Sequence, residues 1–271
     1  MTLQTKANEI RSTLFDTLYH AGGGHFGGCL SVVETLTALY YGVMKYNPKF
    51  PDDPQRDRLV LSKGHAGPAL YVVLADVGFF EKERLAEVDQ NGGRLPKHID
   101  RLKVPGVEFS TGPLGQGVSA AAGMALGLKS RNSSARVFAI TGDGECDEGQ
   151  VWETAMMAAH YHLDNFIVIV DLNGCQVDGN TEDVMNLGNL AMKWEAFGWN
   201  VLNAEGNDAD DMLHALNEAA GLKNTKPTVI LAKTLKGKGI PFMEGNYRWH
   251  SGSVTDEQYL EGRAALDSIG K

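Results

Sequence analysis

Apolar residues along this chain recur at two periods, and the periods alternate. Residues 136–141 and 166–171 are short runs rich in β-branched side chains, which predict buried strands. Residues 200–202 and 228–232 predict a third and a fourth strand. Between them, 148–162, 187–197 and 208–222 carry apolar positions at helical spacing. Strand–helix–strand repetition predicts an α/β fold, a parallel sheet sandwiched by helices on both faces. The first 130 residues predict helices over 5–20 and 31–46. A tightly packed helix rich in Ala, Leu and Gly follows at 115–130. The tail at 236–252 is Gly-rich and aromatic, more loop than element, and 256–267 predicts a closing helix. No repeat, low-complexity tract or Pro/Ser-rich linker divides the chain. One domain over 1–271 is expected, with a helical, loop-rich N-terminal part (1–130) and a C-terminal loop and helix (236–271). A long loop in a compact domain is more often functional than idle.

Composition narrows the function classes. The 271 residues are 43% apolar and 22% charged, enough for one large core and unlike a disordered chain. The net charge of −9 argues against general nucleic-acid binding but leaves room for a locally positive anion site. The polar first ten residues lack a signal core, and the apolar run 166–170 is too short to cross a bilayer. Three cysteines with no CxxC pair suggest a reduced, cytoplasmic protein.

Chemistry concentrates at two predicted strand ends. Gly142, Asp143 and Gly144 follow the first strand, and Asn173 and Gly174 close the second some thirty residues later. Consecutive strands of a βαβ unit end on the same side, so Asp143 and Asn173 are expected to face one crevice. A carboxylate and an amide oxygen there suit a hard cation such as magnesium, which shares its coordination with phosphate and water. The flanking glycines let backbone amides approach a diphosphate. Gly-Asp-Gly alone is more simply a turn; the second motif shifts the balance. Lys236-Gly-Lys-Gly lacks the spacing of a nucleotide P-loop.

Of eight histidines, His20, His160, His162 and His214 sit in helical patterns and read as surface or structural residues. His25, His65, His98 and His250 lie in Gly- or Pro-flanked segments, where binding residues concentrate. These segments, taken in order, resemble the N-terminal half of transketolases. The match includes residues 24–31 around His25, 56–65 ending in Ser-Lys-Gly-His, and 105–117 with Thr-Gly-Pro-Leu-Gly-Gln-Gly. It continues through 142–149 and the Asn173 turn.

The resemblance implies the fold of thiamine-diphosphate-binding domains. It also implies roles. Asp143, Asn173 and the backbone carbonyl of Cys175 correspond to magnesium ligands. The Gly144 amide, His65 and His250 correspond to diphosphate anchors, with Gly142 and Glu145 in the same cofactor-binding turn. Gly112 and Leu114 correspond to main-chain contacts on the aminopyrimidine side, and Val177 to an apolar neighbour of the thiazolium. His25, His65, His98 and His250 would line the substrate channel, binding sugar hydroxyls and moving protons. Cys175 stands where a branched apolar residue is usual, and Ile99 follows His98 where proline is usual.

In that family a second domain supplies a glutamate for cofactor activation, an aromatic pocket and cations for the sugar phosphate. The chain ends where that domain would begin. Either the chain is a piece of a longer enzyme or the enzyme is naturally split; the expectation is the split enzyme, one subunit that transfers a two-carbon ketol unit between sugar phosphates only with a C-terminal partner, two copies of each. The alternatives are a component of another thiamine-diphosphate-dependent synthase or decarboxylase, or a non-catalytic cofactor-binding assembly protein.

Overall fold

A computed structural model describes residues 1–269. Five parallel strands, β1 (Arg58–Leu61), β2 (Val137–Gly142), β3 (Phe166–Leu172), β4 (Asn200–Glu205) and β5 (Thr228–Lys233), form one sheet in the order β1-β2-β3-β5-β4. Side chains alternate between its faces. Leu59, Leu61, Phe138, Ile140, Ile167, Ile169 and Ile230 join one buried cluster. Val60, Val137, Ala139, Val168, Val170 and Val229 join the other.

The α-helices among the described residues are α1 (Leu3–His20), α2 (Phe26–Leu30), α3 (Val33–Ala38), α4 (Gly67–Asp76), α5 (Gln116–Ser130), α6 (Gly149–His160), α7 (Thr181–Val184), α8 (Leu190–Ala196), α9 (Ala209–Gly221) and α10 (Asp256–Ile269). Buried side chains of α1, α3, α4 and α9 complete the first cluster, and those of α5, α6 and α8 the second. Sequence periodicity therefore locates the layers, and the structure corrects two details. The 31–46 segment is α3 followed by a wider turn at Leu39–Val43. The edge strand β1 lies in the part expected to be helix and loop.

The segment Phe26–Val43 is apolar and long enough for a membrane span, yet 83% of it is buried in the core. Its apolarity is thereby explained by packing against α1 and α9.

Strand direction also explains where polar residues can gather. Every strand runs the same way, so the carboxyl ends share one edge of the sheet. β2 and β3 are in register from Val137↔Phe166 to Gly142↔Asp171. The loops leaving β1, β2, β3 and β5 open on that edge.

Candidate active site

Each of four neighbouring strands delivers charged or polar groups just past its carboxyl end. β1 leads into Lys63 and His65, β2 into Asp143, β3 into Asn173 and Cys175, and β5 into Thr234 and Lys236. A cavity of about 470 Å³, counting its open mouth, lies between them. Lys63, His65, Asp143, Asn173, Lys236 and His250 all line it.

The floor of the cavity is ionic and buried. Lys63 and Asp171 form an ion pair in which both side chains are 2% exposed. Asp171 also accepts from Ser31 Oγ at 2.7 Å, Thr234 Oγ1 at 2.5 Å and Asn173 Nδ2 at 2.9 Å. Burial alone would raise its pKa, but the Lys63 ammonium and these donors outweigh that and lower it. Asp143 has the opposite balance. Burial, and then the neighbouring Asp171 charge, push its pKa up to about 6. Its oxygens accept from the Gly144 amide at 2.9 Å and the Gly174 amide at 2.6 Å. Gly174 makes the second contact from a φ of +72°, a conformation that disfavours other residues, which accounts for glycine after Asn173.

Lys236 escapes sequence reasoning because its Gly-rich context matches no phosphate loop. It is 2% exposed and donates to the Cys175 carbonyl at 3.3 Å, with His250 Nδ1 3.2 Å away. Burial, then repulsion from Lys63, lowers its pKa to about 8. Lys63 is likewise visible in the sequence only as part of a motif. The usable signal for both is position: a lysine within three residues of a strand's carboxyl end.

The wall is a histidine quartet with His25 at its centre. Ring centroids lie 5.2 Å from His65, 5.6 Å from His98 and 5.3 Å from His250. Burial, with neighbouring positive charge, lowers His25 to about 4 and His250 to about 3, and pushes His65 well below its ordinary value. These three imidazoles are neutral near pH 7 and offer one donor and one acceptor each. His25 Nδ1 is buried without a partner among the described residues. A two-way backbone pairing of Gly24 with Gly252, at 2.8 and 3.0 Å, draws the tail across and sets His250 beside His25. A Cβ on Gly23 would sit 2.4 Å from the Gly252 carbonyl, so the approach requires glycine there. His20, His160, His162 and His214 are exposed and lie outside this group, as expected.

The remaining sequence candidates divide. Gly142, Gly144, Leu114 and Val177 line the cavity, and Leu114 and Val177 are exposed on its rim. Gly112 packs beside His98. Glu145 also lines the cavity, with its carboxylate engaged inside the protein. Its carboxylate accepts from Ser62 Oγ, the Gly115 amide at 2.8 Å and the Gly142 amide at 3.2 Å. It ties β1, the start of α5 and the Gly-Asp-Gly turn together; a second carboxylate facing a diphosphate would repel it.

These groups fit a magnesium diphosphate. Two buried ammoniums and the Gly144 amide suit the anion. Asp143 is a buried carboxylate with a raised pKa, and a cation between it and Asn173 would favour its charged form.

The chain is similar to known proteins over nearly its whole length. Residues 2–267 match the family model described as "Transketolase, thiamine diphosphate binding domain". The chain is 44% identical to the 6-deoxy-6-sulfo-D-fructose transketolase subunit of Clostridium sp. (strain MSTE9), over 99% of this chain and 97% of the relative. It is 40% identical to an apulose-4-phosphate transketolase subunit of Phocaeicola vulgatus, over 96% and 92%. The transketolase of Campylobacter jejuni superposes with a TM-score of 0.92 at 34% identity, covering 98% of this chain but 43% of that one.

Proposed function

This chain belongs to the transketolase family, and we propose that it is the magnesium- and thiamine-diphosphate-binding subunit of a two-subunit transketolase. The observation that carries the reading is the convergence of Lys63, Asp143, Asn173 and Lys236 from four strand ends on one cavity. Asp143, Asn173 and the Cys175 carbonyl would hold the cation. Lys63, Lys236, His65, His250 and the Gly144 amide would hold the diphosphate. Thiamine diphosphate, when bound, supplies the nucleophilic carbon and electron sink for carbon–carbon cleavage and formation.

The chain's own residues bind, orient and move protons. A neutral His25, central in the quartet, carries one ring donor and one ring acceptor, suited to a sugar hydroxyl. His98, exposed at the mouth, is placed to meet the acceptor first. The reaction proposed is transfer of a two-carbon ketol unit from a ketose phosphate or related anionic ketose to an aldose. This rests on the relatives named for such sugars.

Leu114 and Val177, 38% and 60% exposed on the rim, support a partner that closes the cleft over the cofactor. That partner would carry the pyrimidine-binding half, with two copies of each chain by symmetry. A cytoplasmic location belongs to the same reading, and the free thiols Cys29, Cys146 and Cys175 are compatible with it.

The test is reconstitution. The purified chain is assayed for ketol transfer with thiamine diphosphate, magnesium and a panel of ketose phosphates, with and without a C-terminal transketolase polypeptide carrying the pyrimidine-binding half. Activity is expected only with both. Robust transfer by the chain alone would refute the two-subunit reading.

A further inference from the structure

We infer that Asp171 is a positioning residue that sets the amide orientation of Asn173 and thereby the cation affinity of the site. The inference rests on the magnesium reading above. Asp171 is 2% exposed and lies at the last register pair of β2 and β3, Gly142↔Asp171. One of its oxygens, Oδ2, accepts from Ser31, Lys63 and Asn173 together; the other accepts from Thr234. The donors come from four separate pieces of chain: the α2–α3 turn, the β1 exit, the β3 exit and the β5 exit.

The bond from Asn173 matters most. A side-chain amide has one oxygen and one nitrogen, and only the oxygen binds a cation. Asp171 is an acceptor with no proton to offer, so it takes the Asn173 nitrogen, at 2.9 Å. The Asn173 oxygen is then turned the other way, where the Cys175 amide donates to it at 3.1 Å and leaves a second lone pair free. Asn173 lines the same cavity as Asp143. Without an acceptor at 171, nothing among the described residues holds the nitrogen, and the amide gains freedom to present it to the cation.

Lys63 gives Asp171 a second role. The ion pair keeps the carboxylate ionised in a buried place and keeps its charge from being free to draw the cation inward. Asp143 and Asn173 are left as the cation's protein side chains. Groups that orient ligands in this way typically contribute about 10–100-fold to metal affinity.

The probe is Mn2+ alone, titrated into the full chain without any diphosphate, with free Mn2+ read by electron paramagnetic resonance. Asp171→Leu removes every acceptor at the position. Lys63→Met/Asp171→Leu removes the partner charge as well, so no unpaired ammonium is buried and the fold is protected. Losing Lys63 by itself would favour a cation, so a loss of affinity in the double variant counts against the direction of that change. Both are expected to bind Mn2+ at least about 10-fold more weakly. Thr234→Val deletes a bond to the opposite oxygen and is expected to change affinity less than threefold.

A loss below tenfold in the double variant overturns the proposal. So does an equal loss in Thr234→Val, which would mean general loosening. Asp143→Ala separates the layers of inference. If it too binds Mn2+ like the unaltered chain, the cation reading fails and the role of Asp171 falls with it. If Asp143→Ala loses binding and the Asp171 variants do not, only the Asp171 proposal fails.

Discussion

The floor of the cavity and its histidine wall are a few ångströms apart and solve burial in opposite ways. The floor keeps its charges. Lys63 and Asp171 pair at 2% exposure, and Asp171 is surrounded by donors. The wall gives its charges up. His25, His65 and His250 are pushed towards the neutral form by burial and by the cations of the floor. Floor residues stand at strand ends, which the sheet holds rigid. Of the wall residues, His25 and His250 stand on loops pinned by the Gly24–Gly252 pairing, and His65 follows the end of β1. The contrast points to a division of labour: fixed charge at the floor for the cation and diphosphate, and neutral donor–acceptor groups at the wall, where His65 and His250 face the cofactor cavity and His25 the substrate.

Breaking the floor should cost cofactor affinity, and the largest loss is expected from Asp143→Ala. Magnesium-dependent thiamine diphosphate binding in the assembled enzyme should fall by at least about 100-fold, measured by titration calorimetry. Unchanged affinity would remove Asp143 from the site. Lys236→Met comes next. A hydrogen bond to a charged group is worth about 1.5–3 kcal/mol, so diphosphate binding should weaken by about 10–100-fold. A loss seen equally with thiamine, which lacks the diphosphate, would show that Lys236 acts through packing.

Within the wall, His65 and His250 line the cavity, whereas His25 and His98 are outside its lining. His250→Ala should therefore weaken cofactor binding. His25→Asn should leave it within about threefold and instead lower turnover by about 100-fold, the lower range for a positioned proton donor or acceptor. Similar affinity losses in both would erase the distinction between anchor and substrate contact.

The smallest effect is in stability against pH. His25 has a folded pKa of about 4, below its ordinary 6.5. Between those values the unfolded chain takes up a proton that the folded chain refuses, so stability falls as pH drops from about 6.5 towards 4 and is complete above that window. His25→Asn should flatten this part of the urea-midpoint profile. An unchanged slope would assign the effect to other groups.

Much of the fold is open to reading because period and face are local properties. β2 and β3 are apolar runs rich in β-branched residues, and the helix between them keeps apolar spacing of three and four. β1 escapes: its four residues sit between charged and polar segments, and only pairing with β2 through Arg58↔Val137 to Leu61↔Ile140 makes them a strand. Asp143, Asn173 and the four loop histidines are legible because glycine and turn residues surround them. Lys63, Asp171 and Lys236 are not. Lysine and aspartate are ordinarily solvent-exposed, and nothing in a linear sequence marks the ones that will be buried together.

The amino-acid order by itself determined the alternation of strand and helix, the two turns that end β2 and β3, and the glycine-flanked histidines. These follow from backbone conformation and side-chain period, which neighbouring residues dictate. Only the tertiary structure decided which charges meet. Ser31, Lys63, Asn173 and Thr234 converge on Asp171 from positions as far as 140 residues away in the chain. Parallel strands place their carboxyl ends on one edge of the sheet whatever the sequence distance between them, and burial there makes each charge depend on the partner it finds.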